Sequence, residues 1–592
     1  MCKLFKSDLR NVLIVIQLIL LFSVTACAQE VKKLTFNGTL SEIKLDIKNM
    51  NPALPSDWTG YNYLVMEMKT SSPQRFSLWL YRSDGTPGRI KIQPFGQNVW
   101  LRASIPIKYF AGRDQSGFDL ASATNRRTNS FWYSIAGPHG GLKNIESIGF
   151  AMPYPVNMPT IELRAVHLSK QDEGSEFLEK TPVLDEFNQW AWAEWPEKLK
   201  SKEQLAKEMT DEEKTWGDST QYNFCEYGGY KNTLAKATGF FHVEQIDGKW
   251  WFVDPHGHLF LSTGSNGAGG AGFGKRPDSN PAADRITPRL KAWGMTTGGR
   301  NMPYTVMMHW LGTGINFFGL PDVYSKEFAN NIDQSAKAQC LPLKNDPLVL
   351  GYFVGNEPAF DGRESEVVDM ILAGTVSPIQ NKLKEFLAQG DTPERRVEFV
   401  MSSFEIYLDM AIAAIKKYDP NHLTLGIRFG GETSDALLRT GRKFDVCSIN
   451  VYEYEPMAQL DRSYRYTGRP ILIGEFHIGV PANGLGAGLV QARDQIERGK
   501  AYRYYVEQAA SVSCFLGAYW FAWGDEPVLG RMDGENYNIG FVDVNDRPYK
   551  ELVEAAKATN KRLYEVHSGK IVPFNERPLA SDFGTPISPW SY

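Results

Sequence analysis

Cysteine is scarce in this chain of 592 residues: six are present, at positions 2, 27, 225, 340, 447 and 514, and no two form a CxxC pair. That spacing gives no basis for a zinc site or a dithiol redox motif. No histidine and aspartate cluster has ligand spacing either, so no metal and no cofactor is implied. A surplus of positive charge is also lacking. The formal net charge is -4, which leaves no basic footprint for phosphate and excludes nucleic acid as the expected partner. Long hydrophobic runs are missing as well: the most apolar stretch, residues 12–24, is interrupted by Gln17 and Ser23 and is too short for an ordinary membrane span. Internal repeats and low-complexity tracts are absent. What the chain does have is 42% hydrophobic and 12% aromatic residues, enough to exclude disorder and to suit a ligand with apolar faces, as carbohydrate rings are. Most of the fifteen tryptophans are nevertheless expected in the core.

The N-terminus reads as a separate unit. Lys3, Lys6 and Arg10 precede the apolar run, and small residues follow it, the pattern of an export signal over residues 1–26. Val24-Thr25-Ala26-Cys27 resembles the bacterial lipobox. That resemblance implies that Cys27 is the lipidated first residue of the mature chain, holding an exported protein on a bacterial membrane face; ordinary cleavage with Cys27 incidental is the alternative.

Residues 32–170 alternate apolar and polar positions in short runs divided by turn formers, such as Tyr63-Leu-Val-Met-Glu-Met-Lys69 and Ser83-Asp-Gly-Thr-Pro-Gly88. This predicts an all-β, jelly-roll-like sandwich that is either a carbohydrate-binding module or a structural one. Residues 171–239 are polar and form a connector with a helix over 200–214. From 240 to 570, strands and helices alternate, which predicts an α/β domain with a parallel sheet; 571–592 is a tail. The predicted strands are 259–265, 296–300, 304–308, 349–354, 423–428, 446–451, 471–474 and 515–521, and a hairpin over 250–260 caps the floor. Eight strands predict a (β/α)8 barrel.

Two acidic segments carry the chemistry. Leu350-Gly-Tyr-Phe-Val-Gly-Asn-Glu-Pro358 and Pro470-Ile-Leu-Ile-Gly-Glu-Phe-His-Ile-Gly479 are apolar runs that each deliver a carboxylate, Glu357 or Glu475, where the chain turns polar. Strand ends are where barrels keep their reacting groups, and two carboxylates on one rim are what glycoside hydrolysis requires. Taken singly, each is equally well a solvated loop glutamate. Asn356 beside Glu357 can hold a sugar hydroxyl while Pro358 forces the chain away. A carboxyl on an enclosed, proline-bounded turn can have its pKa raised and act as an acid.

Several further segments resemble the agarase family classed as glycoside hydrolase family 50: Asp254-Pro-His-Gly-His258, Leu290-Lys-Ala-Trp-Gly294, Pro321-Asp-Val-Tyr-Ser325, Lys417-Tyr-Asp-Pro-Asn-His-Leu-Thr-Leu-Gly-Ile-Arg-Phe429, Gly474-Glu-Phe-His-Ile-Gly479 and Asp533-Gly-Glu-Asn-Tyr-Asn-Ile-Gly-Phe-Val-Asp543. The likeness covers roughly residues 240–560 and departs at Gly298-Gly-Arg-Asn301 and near Trp520-Phe-Ala-Trp523. It implies retaining cleavage of β-1,4-galactosidic bonds in agar-type galactans, agarose or porphyran, with Glu357 as acid/base and Glu475 as nucleophile. The alternatives are a β-galactosidase or other β-glycanase of the same superfamily, or a surface polysaccharide-binding lipoprotein without activity.

Around the pair, Tyr452 is placed either to hydrogen-bond the nucleophile or to stack on sugar. His477 is a substrate ligand or a buried structural histidine, and Trp523 is the floor under the cleaved sugar or packing at the barrel top. Asn266 is expected near the same sugar. Glu535 and Asn536 contact substrate or merely fix their loop. Arg300 holds a sulfate of the substrate or a structural ion pair.

Overall fold

The computed structural model describes residues 31–38, 40–112, 124–216, 219–269, 283–310 and 316–584. The export signal with Cys27 and the end of the tail from 585 lie outside the described residues. Among the described residues no helix is long and apolar enough to cross a membrane.

The alternating N-terminal segments form two antiparallel sheets. One has the order Lys32–Thr35, Thr160–Ser169, Tyr63–Thr70, Trp100–Pro106 and Glu176–Phe177. The other runs Leu40–Asp46, Ile145–Pro153, Phe76–Arg82, Pro87–Pro94, Phe131–Ser134, Asn125–Arg127. Because side chains alternate along a strand, one face of each sheet is apolar, and the two faces meet in a single core. Leu64, Met66 and Met68 of the first sheet pack there with Leu78, Leu80, Ile90 and Phe150 of the second. The connector begins by extending the first sheet, since Glu176 and Phe177 pair with Arg102 and Leu101 at its edge. Its helix runs Lys202–Glu213, with the Ser201 hydroxyl accepting from the Gln204 amide as an N-cap.

The C-terminal unit is a mixed α/β structure. Parallel strands Ser262–Ser265, Phe515–Trp520, Ile471–Phe476 and Cys447–Asn450 form one sheet in that order, and Tyr304–Met307, Val349–Phe353 and Leu423–Thr424 form another. A parallel bridge between Phe429 and Ile449 joins the two arcs. The capping hairpin is a three-stranded meander of His242–Ile246, Lys249–Val253 and Leu259–Phe260. Helix Pro393–Tyr418 buries Phe404, Tyr407, Leu408, Ala411 and Ile415, as its apolar period requires, and ends at Asp419.

One predicted strand does not form. Residues 296–300 turn instead, because Gly298 and Gly299 adopt φ of 104° and 77°, the left-handed region that a strand cannot use. Thr296 and Thr297 both donate their amides to the Thr263 carbonyl, at 3.0 and 2.9 Å, so they lie beside the first parallel strand without a ladder of their own. Likewise only 423–424 of the predicted 423–428 strand is regular.

The two units are locked together. Trp190 of the connector is fully buried between Gly96 of the sandwich and Gly484 of the α/β unit, and a Cβ at either glycine would come within 2.5 Å of its side chain. Gln93 donates to the Asn536 side chain, Arg75 to the Tyr537 hydroxyl at 2.9 Å, and Arg127 to the Leu529 carbonyl at 2.9 Å. This seam brings the outer face of the six-stranded sheet against the ends of the parallel strands.

Candidate active site

Glu357 follows the strand Val349–Phe353 at φ 41°, a left-handed conformation that costs a non-glycine residue on the order of 1–3 kcal/mol and survives only where neighbours impose it. Its amide donates to the Arg428 carbonyl at 3.3 Å. Its Oε1 accepts from Asn450 Nδ2 at 2.8 Å, and the same nitrogen reaches Asn356 Oδ1 at 3.2 Å. The residue opens into the cleft, yet the rest of its surroundings is protein. Burial, followed by the negative charge of Glu475, pushes its carboxyl up to about 7. The residue is exposed on its cleft side, and the charge of Glu475 acts on it there.

Glu475 lies in the strand Ile471–Phe476 and is 5% exposed. Its Oε1 accepts from a terminal nitrogen of Arg428 at 2.8 Å, and its Oε2 accepts from the Tyr452 hydroxyl. Arg428 can only donate, so the oxygen that it meets is an acceptor. Burial and the negative charge of Glu475 drive the Tyr452 phenol well above its ordinary range, so it stays a donor. Asn450 ties the two acids together. It bonds Glu357 through its side chain and sits opposite Glu475 in the ladder between neighbouring strands.

The remaining expected residues divide. Tyr452 takes the first of its two expected positions, on Glu475, and also lines the cleft. Asn266 is 1% exposed and sits under the pair: its Nδ2 donates to the Gly474 carbonyl at 3.1 Å and its Oδ1 accepts from Arg428 at 3.1 Å. His477 is buried with both ring nitrogens engaged by the backbone. Its Nδ1 faces the Phe521 carbonyl at 3.0 Å, its Nε2 accepts the Leu489 amide at 2.9 Å, and burial pushes it down to about 3, so the ring is neutral with both nitrogens used. It supports Tyr452, the ring centroids lying 4.7 Å apart. Trp523 stacks on Trp293 at 5.3 Å and does not line the cleft. Asn536 is wholly buried in the seam, bonded to Gln93 and to the Val528 carbonyl. Glu535 does line the cleft, ion-paired to Arg531, with burial raising it to about 7. Arg300 is exposed and faces Asp284 at 3.6 Å, away from the cleft lining.

The family-like segments are therefore of two kinds. In Asp254-Pro-His-Gly-His258 the aspartate accepts the His256 and His258 amides and builds a turn. Asp419, in the Lys417–Phe429 segment, accepts from the Tyr352 hydroxyl at 2.6 Å and pairs with His422, while Arg428 nine residues on enters the site.

Sequence reasoning missed Arg428 and Asn450, although each had a local signal: a charged or amide side chain inside an apolar strand segment. It also missed the second wall of the cleft, which has no local signal. A cleft of about 500 Å³ opens at Glu357, and its far side is the sandwich, with Arg75, Lys91, Trp132 and Ser134. Among the described residues no group of three or more His, Cys, Asp or Glu side chains could hold a metal ion.

No family model matches the chain. Its sequence is similar to β-agarase B of Vibrio sp. strain JT0107, with 24% identity over 92% of this chain and 73% of the relative. β-Agarase A of the same strain is 26% identical over 66% of this chain, which spans about half of that protein, 52%. The fold is similar to the crystal structure of an agarase, AgWH50C, at a TM-score of 0.62 and 22% identity over 89% of this chain and 94% of that one. It is similar too to an exo-β-agarase, at 0.63 and 21% identity over 91% and 95%. The chain is thus similar over most of its length, in sequence and in fold, to proteins named as agarases.

Proposed function

We propose that the chain cleaves β-1,4-galactosidic bonds of agar-type galactans by double displacement with retention of configuration. The observation that carries this reading is the division of labour between the two carboxylates. Glu357 is pushed up to about 7 and faces the open cleft, as a group that must hold a proton and give it to a leaving oxygen. Glu475 has both oxygens clamped by donors, as a nucleophile aimed at the anomeric carbon needs to be. In the first step Glu475 attacks, the glycosidic bond breaks, and the Glu357 proton passes to the leaving sugar. In the second step Glu357, now a base, takes a proton from water, which displaces Glu475 from the glycosyl-enzyme. Glu535, in the cleft lining, is positioned for sugar hydroxyls, while Asn356 shares the Asn450 nitrogen that bonds Glu357. The two carboxyls of such a site stand about 5–5.5 Å apart.

The fold supports this reading at a finer level. The two parallel arcs are read as one (β/α)8 barrel whose second position is the irregular 296–297 segment, and the N-terminal sheets as a jelly-roll-like module that supplies one wall of the cleft. Incubation of the purified protein with agarose, porphyran and carrageenan, with product sizing, tests the substrate, and proton NMR of the first product tests the stereochemistry. Galactan oligosaccharides released first as the β-anomer are expected. Release of the α-anomer overturns retention, and no cleavage of any galactan overturns the substrate.

Lipidation at Cys27 is proposed on the lipobox-like sequence. Cys27→Ser is expected to leave the membrane fraction or to stall in maturation, whereas Cys2→Ser changes nothing. Identical fractionation of the two variants rules the anchor out.

A further inference from the structure

Charge is segregated across the cleft. The barrel side supplies carboxylates, among them Glu357, Glu432, Glu453 and Glu535, while the sandwich side supplies two cations, Arg75 and Lys91. Neutral sugar rings give a wall no reason to gather cations. Lys91 lies in strand Pro87–Pro94, opposite Ser77 on one neighbouring strand and Ser134 on the other. Arg75 is held over the Trp132 ring at 4.4 Å by bonds from its terminal nitrogen to Gln93 Oε1 at 3.1 Å and the Tyr537 hydroxyl at 2.9 Å. Its Nε is buried and meets no acceptor among the described residues.

Behind these two cations is a second cavity, of about 50 Å³, lined by Arg75, Ser77, Lys91, Gln93 and Gln491 among others. A water needs about 10–15 Å³ on this measure, so the space suits a few waters or one tetrahedral oxyanion. Arg75 and Lys91 line both cavities and so stand between the cleft and this recess. Burial, and then the charges of Arg75 and Arg89, push the Lys91 ammonium down to about 7, against the opposing pull of Glu432. An arriving anion reverses that balance.

We propose that this recess is an anion subsite, in which Arg75 and Lys91 take a sulfate ester carried on the galactan chain. A guanidinium matches the planar pair of oxygens on such a group, and the ammonium adds a point charge. The subsite rests on the galactan reading above but not on its stereochemistry. It moves sulfate recognition from the rim, where Arg300 faces Asp284, to the sandwich wall.

Calorimetric titration tests it, using the full chain with Glu357→Gln so that neither hydrolysis nor titration of that carboxyl intrudes. The ligands are a sulfated galactan oligosaccharide, its desulfated counterpart and inorganic sulfate. Titration in two buffers of different ionisation heat, repeated from about pH 7 to about pH 9 across the range to which burial lowers Lys91, reads proton uptake. The sulfated ligand is expected to bind at least about tenfold more tightly than the desulfated one and to take up close to one more proton, and inorganic sulfate is expected to compete with it. Burial raises Glu535 into the same range, and the Arg75 charge opposes that rise, so its share of the uptake is separated by comparing the Lys91 variants with the parent rather than by the difference between ligands. Lys91→Met should lose both the preference and the extra proton. Lys91→Arg should keep the preference without the proton, because a guanidinium is always charged. Equal affinity and equal uptake for the two oligosaccharides overturn the subsite while leaving the galactan reading intact. Binding of inorganic sulfate alone, without preference between oligosaccharides, marks a free-anion site and overturns the ester. Failure of both oligosaccharides to bind overturns the galactan reading and the subsite with it.

Discussion

Glu357→Gln and Glu475→Gln should each reduce turnover on galactan by about 10⁴-fold, Glu357→Gln with a thermal unfolding profile close to that of the parent protein and Glu475→Gln with a lowered one, because it leaves the buried Arg428 charge without its partner. The amide at 357 fits the space of the acid it replaces and opens to solvent, so that loss is chemical rather than structural. Alanine variants separate the roles. With Glu475→Ala, azide entering from the vacated face is expected to restore turnover of an activated substrate and to yield the α-glycosyl azide. With Glu357→Ala, azide is expected to give the β-azide, and the loss of rate is expected to be greatest for poor leaving groups. The pH profile follows from the same assignment. The acid must be protonated at the start of each cycle, and its carboxyl is raised to about 7, so activity is expected to hold below that value and to fall as pH rises through it. Part of that rise comes from the charge on Glu475. Carbon-13 NMR of the Glu357 carboxyl in Glu475→Gln should therefore show a midpoint lower than in the parent. Near-normal rates in both glutamine variants, or an unmoved midpoint, would sink the assignment.

How much of this was legible in the sequence depended on whether the cause was local. Glu357 and Glu475 were legible because each ends an apolar run at a turn to polarity, which is a property of a few adjacent residues. Helix Pro393–Tyr418 has an equally local cause in its apolar period and the stop at Asp419-Pro420-Asn421. The strand expected over 296–300 failed because two adjacent glycines in the left-handed region override a merely permissive composition. His477 could not be assigned from sequence, since its role is set by the Phe521 carbonyl and the Leu489 amide, both remote from the strand that carries it. Asn536 stood in a family-like loop, but it bonds to Gln93, 443 residues away. The sandwich wall was the least legible part. Arg75 and Lys91 are unremarkable on a β-strand face until the Trp190 seam turns that face toward the carboxylates.

Arg428→Met is the substitution outside the acid pair with the largest expected effect. The residue is fully buried, at φ 51°, and one of its nitrogens serves Glu475, Asn266 and the Gly474 carbonyl at 2.8, 3.1 and 2.7 Å. Methionine fills most of the volume but leaves a 5%-exposed Glu475 with Tyr452 as its remaining side-chain donor. Removing one partner of a buried ion pair costs about 3–5 kcal/mol, because the other charge stays behind without compensation. A lower apparent melting temperature is therefore expected, along with a kcat reduced by about 10²-fold or more as the nucleophile loses its fixed direction. Arg428 acts through Glu475 and touches no substrate, so KM should change much less than kcat. A merely structural role would not move the proton on Glu357, whereas this one does: the Arg428 charge pulls that carboxyl down, and its loss should shift the basic limb upward. That is the opposite direction from Glu475→Gln. Arg428→Lys should keep the limb near its parent position yet recover only part of kcat, because an ammonium restores the charge without the planar fork. A limb that stays fixed in Arg428→Met while kcat remains normal would show that Glu475 does not depend on the guanidinium for its place in the site.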